Sequence, residues 1–228
     1  MDASLLERIN QARQSRQAVA VVTDIETGEQ QLVTPQTPLE GELQDEISKR
    51  FRSAKSGVVT LDDREIFIQV HVPSPRLVII GAVHISQALV PMAKSCEFDI
   101  TVIDPRTAFA SQERFPDVEL LAEWPQEVLE ERPLDPFTAL VAVTHDPKID
   151  DIPLQQALAA ECFYIGALGS RKTHGKRQDR FVAAGISENQ MERIHAPIGL
   201  DIGAASPAEI AVSVMAEIIA TLRKGEAG

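Results

Sequence analysis

The sequence predicts an α/β chain in two parts: a small α+β unit over residues 1–72, then a doubly wound parallel sheet over residues 73–228. Three observations predict it. The two prolines of Val72-Pro73-Ser74-Pro75 end any strand or helix before them and mark a boundary. Beyond it, short apolar runs alternate with helical patterns, the grammar of strands buried on both faces and covered by helices. Ahead of it, paired strand patterns are separated by turn residues and one helical face.

In the first part, Leu5, Leu6, Ile9 and Ala12 give one helical face. Ala18 to Asp24 reads as a strand, turned at Thr27-Gly28 and returning through Gln31-Leu32-Val33. Leu43, Ile47 and Phe51 at spacing four predict a helix over Glu42 to Arg52. Val58 to Leu61 and Ile66 to Val70 flank Asp62-Asp63, a hairpin.

In the second part, Leu77 to Ile80 is a strand buried on both faces, with a helix behind it over Ile85 to Ala93. Further strands are predicted at Ile100 to Ile103, Ala139 to Val143 and Cys162 to Ile165. Helices fit at Asp151 to Ala160, Ser170 to Ala184 and Pro207 to Leu222. Ser206-Pro207-Ala208-Glu209 supplies an N-cap, a proline at the first helical position and the glutamate of a capping box. Ile210, Ala211, Val214, Met215, Ile218 and Leu222 make the buried face, and Arg223-Lys224-Gly225 ends the helix. This alternation is a Rossmann-like architecture.

Composition narrows the function. The 228 residues hold 22 Lys and Arg against 34 Asp and Glu, a net charge of −12 that repels phosphate backbones and anionic lipid. No nucleic-acid or membrane partner is therefore expected. No apolar run approaches the ~20 residues of a bilayer span, and the charged N-terminus does not read as a signal peptide, so a cytoplasmic protein is expected. Cys96 and Cys162 form neither a CxxC nor a disulfide framework.

Ligands of doubly wound sheets bind at the carboxyl ends of the strands. After the first strand comes Gly81-Ala82-Val83-His84-Ile85-Ser86, where a dinucleotide fingerprint would place glycines at 81, 83 and 86. Only Gly81 is present, and Val83 puts a branched side chain where a pyrophosphate would approach. His84 either faces a ligand or caps a helix. After the second strand, Asp104 stands where an acidic residue takes a ribose diol, with Arg106 placed to meet a phosphate. After the third, Thr144-His145-Asp146 with Asp150 and Asp151 reads as a ligand loop or as residues satisfying backbone groups. No second His or Cys stands at metal-ligand spacing, so no metal is expected.

The fourth strand runs into Gly166-Ala167-Leu168-Gly169-Ser170-Arg171-Lys172. Two glycines permit a tight turn, and Ser170 is an N-cap. Residues 171–180 carry five cations and one carboxylate, a net of +4 in an acidic chain. Cations in the first turn of a helix oppose its dipole, so Arg171 and Lys172 point to a bound anion or to acidic surface nearby. Gly199-Leu200-Asp201, ahead of the last helix, either closes over a ligand or repositions the chain.

Together the phrases LVIIGAVH, VIDPRTAFA followed by RFP, VTHD, YIGALGSRKT and PIGLDIGAASPAEIAVSVMAEII closely resemble the xanthine dehydrogenase accessory factor (XdhC/CoxI) family over residues 76–224. The resemblance implies a Rossmann-like domain in a non-enzymatic cytosolic chaperone of the molybdenum cofactor, carried as molybdopterin or its cytidine dinucleotide form. The partners it implies are a second copy in a homodimer, a cysteine desulfurase and a molybdenum hydroxylase apo-subunit. Two departures stand out. The family has GAGH where this chain has Gly81-Ala82-Val83-His84, and its glycine-rich GSCGGG-type loop has no counterpart before Pro73. The chain thus reads as a shortened or specialised member, or one subunit of a split system.

The cofactor-binding residues expected are Gly81, His84, Asp104, Arg106, Thr144, His145, Gly166, Gly169, Ser170, Arg171, Lys172 and Asp201, with none catalytic. An NAD(P)-dependent oxidoreductase and a ligand-free interaction scaffold are the alternative readings.

Overall fold

A computed structural model describes residues 3–224. The chain forms two compact units, one ending at Pro73 and the other beginning at Ser74.

In the first unit, α1 (Ala3–Gln14), β1 (Val19–Asp24), β2 (Gln30–Val33), α2 (Gly41–Ser53), β3 (Gly57–Leu61) and β4 (Arg64–His71) follow in order. The strands form an antiparallel sheet in the order β2-β1-β4-β3. β1 is buried on both faces because its side chains alternate. Ala20 and Val22 pack with Ile47 of α2, while Val21 packs with Leu5 and Ile9 of α1. Leu6, expected on the buried face of α1, is half exposed: it directly follows Leu5, a step of about 100° around the helix.

The second unit contains β5 (Arg76–Ile80), α3 (His84–Ser95), β6 (Asp99–Ile103), β7 (Glu119–Leu121), α4 (Pro125–Glu131), β8 (Thr138–Ala142) and α5 (Pro147–Ala159). It continues with β9 (Tyr164–Ala167), α6 (Arg171–Ala183), α7 (Glu188–Met191), β10 (Ile194–His195) and α8 (Pro207–Lys224). All six strands are parallel, in the order β10-β9-β8-β5-β6-β7. Counted within the unit this is 6-5-4-1-2-3, the Rossmann order. The chain reverses direction across the sheet between β5 and β8, which opens a crevice at their carboxyl ends.

Alternation along β5 divides the core. Leu77 and Ile79 pack on one face with α3 and α8, through Leu89, Val214 and Ile218. Val78 and Ile80 pack on the other with α4 and α5, through Val128, Leu129, Leu154 and Leu158. The predicted capping box holds α8: Glu209 accepts from the Ser206 amide at 2.9 Å, and the Ser206 hydroxyl accepts from the Glu209 amide at 3.3 Å. Gly225, expected to end that helix, lies outside the described residues.

Four elements were not expected: β7, α4, α7 and β10 are short or have no periodic apolar face. Two others begin elsewhere than expected. β9 starts at Tyr164, because Cys162 and Phe163 still belong to the turn after α5. α5 starts at Pro147, because Asp146 caps it by accepting from the Lys148 amide at 3.0 Å.

Candidate functional site

The crevice begins at Gly81, whose φ of +118° is open to glycine. A Cβ there would come 2.8 Å from Thr144 Cγ2, so the missing side chain lets the β5 loop close on the end of β8. The rest of that loop is braced by side chains. The Ala82 amide donates to Asp104 Oδ2 at 2.8 Å, and the Ala82 carbonyl accepts from Arg114 at 2.9 Å. The Ser86 hydroxyl donates to the Gly81 carbonyl, so the residue in the third glycine position fastens the turn.

This changes the reading of Asp104. Its side chain is fully buried and its carboxylate is consumed within the protein. Oδ1 accepts from the Arg106 amide and Nε at 2.9 Å each, and Oδ2 accepts from Arg106 Nη2 and Ala82 N at 2.8 Å each. Burial would push this carboxyl up, but the Arg106 and Ala82 hydrogen bonds outweigh it and hold it below its ordinary value. Asp104 is therefore the anchor of Arg106 rather than an open acceptor for a ribose diol. The Arg106 guanidinium carbon stands over the Phe109 ring, 4.5 Å from its centroid, and the side chain keeps part of its surface exposed.

At the end of β8, Thr144 and Asp150 form a buried pair, the Thr144 hydroxyl donating to Asp150 Oδ1 at 2.7 Å. Asp150 is 1% exposed, and its Oδ2 has no partner. Burial pushes its carboxyl up to about 6, against the downward pull of the Thr144 hydroxyl, Arg177 and the Thr144 and His145 amides.

The basic stretch expected from sequence lies beside this pair. Ser170 caps α6 through the Thr173 amide at 3.3 Å. His145 and Pro147, after β8, face Lys172, Thr173, Lys176, Arg177 and Arg180 of α6 across a cleft of about 210 Å³. Arg180 is held by Asp151 through two bonds of 2.6 and 3.0 Å. Lys172 and Lys176 form no ion pair among the described residues.

Arg177 is the residue that sequence reasoning missed. It is 3% exposed, donates Nη2 to the Leu168 carbonyl at 3.3 Å, and stands 3.8 Å from Asp151. Its Nε and Nη1 have no hydrogen-bond partner. Burial holds its guanidinium below the usual arginine range. Four of the six unpartnered buried side-chain atoms among the described residues belong to Asp150, His174 and Arg177. Such orphaned groups cost about 1–3 kcal/mol each unless something supplies a partner. In sequence, this arginine is one of the five cations of residues 171–180, with nothing to set it apart.

The structure separates the remaining expected residues. His84 is exposed at the start of α3. Arg171 is exposed and lines no part of the basic cleft, nor does Asp201, exposed ahead of α8. Gly166 lies inside β9, where a Cβ would strike Ile198 at 2.5 Å, so packing accounts for it rather than a ligand. Gly169, with φ +145°, turns the chain into Ser170. Both thiols lie toward the opposite, amino edge of the sheet. Cys96 ends α3 just before β6, and Cys162 precedes β9 with its thiol pushed by burial up to about 12. No cluster of three metal-ligating side chains occurs among the described residues, and no described helix is long and apolar enough to cross a membrane.

Residues 77–218 match the family described as the XdhC Rossmann domain. The chain belongs to this family. Among relatives, a Bacillus subtilis protein described as a probable xanthine dehydrogenase subunit is 34% identical over 70% of this chain and 46% of its own length. The molybdenum cofactor insertion chaperone PaoD of Escherichia coli is 30% identical over 64% of this chain and 40% of its own length. An uncharacterized Escherichia coli protein, YqeB, is 35% identical over 68% of this chain and 28% of its own length. This XdhC-family chain thus spans less than half the length of these curated relatives. A crystal structure of a Bacillus halodurans xanthine dehydrogenase superposes with a TM-score of 0.64 at 25% identity, covering 98% of this chain and 65% of that one.

Proposed function

We propose that this chain serves molybdenum-cofactor maturation. It binds the cofactor by its phosphate end in the basic cleft and passes it to the apo-subunit of a molybdenum hydroxylase. The observation that carries this reading is Arg177, a buried guanidinium with two unsatisfied donors beside Lys172, Lys176 and His145 in a chain of net charge −12. Charge-assisted bonds to a phosphate would satisfy those donors. A cleft of about 210 Å³ suits a phosphate group and its first carbons rather than a whole pterin; small-molecule pockets usually run to about 300–1,000 Å³. The pterin would then extend toward the crevice at Gly81 and Thr144, past Arg106. The names of the Bacillus subtilis and Escherichia coli relatives point to the same process.

The role is recognition and shielding rather than bond making. No thiol stands at the cleft to bind molybdenum or carry sulfur, so sulfuration would come from a cysteine desulfurase acting on cofactor held here. A homodimer in the cytoplasm and either form of the cofactor, molybdopterin or its cytidine dinucleotide, belong to the same proposal. The oxidoreductase alternative is disfavoured because Asp104 is consumed by Arg106 and Ala82.

The test is purification from cells that make molybdopterin, followed by bound molybdenum and oxidised-pterin fluorescence. The wild-type chain should carry cofactor, and Lys172→Glu with Lys176→Glu should carry almost none. Equal loading of both proteins, or none in either, overturns the proposal. Tight binding of NADH by fluorescence titration would instead favour the oxidoreductase.

A further inference from the structure

Asp150 and Arg177 are both almost wholly buried and feel each other's charge, yet no hydrogen bond joins them. Each leaves polar atoms unpartnered, Arg177 in the lining of the basic cleft and Asp150 behind it, hydrogen-bonded to Thr144 at the end of β8. The groups facing Asp150 come from three places. Arg177 is on α6, Arg106 is in the loop after β6, and the Thr144 hydroxyl and the Thr144 and His145 amides close the end of β8. Asp146 and Asp151 are the nearby carboxylates, and Asp151 is committed to Arg180.

Among the described residues, Arg177 and Arg106 are the cations that offset a buried Asp150 carboxylate, and Arg106 is already spent on Asp104. An anion bound to the free donors of Arg177 takes over its compensating charge. Asp150 is then left as a buried carboxylate beside a second negative group, an arrangement that favours its neutral form.

We infer that Asp150 and Arg177 make the cleft a proton-coupled anion clamp: a phosphate enters together with one proton, which resides on Asp150, and the two leave together. This rests on the reading of the cleft as an anion site and adds how its grip is released. The geometry places the proton on a carboxyl that is already near the point of titration, raised to about 6 by burial in the absence of an anion. Handover then needs no large movement: any partner group that draws the proton from Asp150 restores its hold on Arg177 and weakens the anion's.

The test is titration of the full chain with sulfate, which takes up no proton itself near neutrality, at constant ionic strength from about pH 5.5 to about pH 8. The wild-type chain should bind sulfate about tenfold more tightly at the acid end, as a pKa rise of one unit on binding requires. Calorimetry in buffers of different protonation heat should show about half a proton taken up near pH 6.5, the most that a one-unit rise from about 6 allows. Asp150→Asn should bind sulfate with almost no proton uptake. His174→Gln, at a residue that does not line the cleft, should retain the uptake, separating it from titration of that buried imidazole. Thr144→Val removes the hydroxyl that favours the charged carboxylate and should move the midpoint upward, a second readout if Asp150→Asn does not fold. A wild-type profile that survives in Asp150→Asn, or an unmoved midpoint in Thr144→Val, overturns the coupling and leaves the anion site standing. No sulfate binding at any pH overturns both.

Discussion

Replacing Asp150 by Asn isolates the energetic cost of its buried carboxyl. The folded chain holds this carboxyl at about 6 against an ordinary 3.8, chiefly because burial disfavours the charge. At about 1.36 kcal/mol per pKa unit, the difference is about 3 kcal/mol. Between these two values the folded state binds more protons than the unfolded one. Stability from this group is thus present in acid and is lost as pH rises through about 6. Asparagine keeps the acceptor for the Thr144 hydroxyl and removes the titration. Other carboxyls, such as Glu209 and Glu217, are held below their ordinary values and tilt the curve the opposite way in both proteins. The readout is therefore the difference between wild-type and variant curves rather than either alone. Urea unfolding followed by Trp124, the single tryptophan, from about pH 4 to about pH 8 measures it in the Rossmann unit. The wild type should lose about 2.5 kcal/mol relative to Asp150→Asn across that range, because pH 4 already lies above the ordinary 3.8. Parallel curves would refute the claim that burial raises this carboxyl.

Three other outcomes follow from the geometry. Gly81→Ala should cost about 2–4 kcal/mol in thermal unfolding, because it combines a positive φ with a Cβ 2.8 Å from Thr144. Glu217→Gln weakens the bonds from the Tyr164 hydroxyl at 2.6 Å and the Gly199 amide at 2.8 Å, and should cost about 1–3 kcal/mol near neutrality. The Glu217 carboxyl is held below its ordinary 4.5 by His195 and Tyr164 in spite of its burial, so that penalty should vanish as acid protonates the wild-type residue. Iodoacetamide should alkylate exposed Cys96 on the native chain and reach buried Cys162 only on unfolding, as peptide mass mapping would show.

The elements that were legible in sequence are those whose burial has a period. Leu77 to Ile80 is uniformly apolar because α3 and α8 cover one face and α4 and α5 the other. The last helix carried its own cap and apolar face. β7 and β10 were not legible because three and two residues cannot show a period, whereas α5 was legible but for its start, which Pro147 and Pro153 disguise.

The site was legible by type and less so by role. Cations gathered after the fourth predicted strand, and the structure brings Lys172 to a cleft with His145 while leaving Arg171 in solvent. Asp104 had the right spacing for a ribose, but the two-residue step to Arg106 lets one guanidinium saturate it. No local pattern distinguishes Arg177 from Arg180. One is buried under the end of β9 at the Leu168 carbonyl and the other pairs with Asp151, a difference set by tertiary packing alone.

The most direct measurement is a crystal structure of the chain purified with its cofactor. The phosphate should lie between α6 and the His145-Pro147 turn, within hydrogen-bond reach of Arg177 and Lys172. A phosphate seated instead on the Gly81 turn, with Arg177 still unsatisfied, would contradict the account.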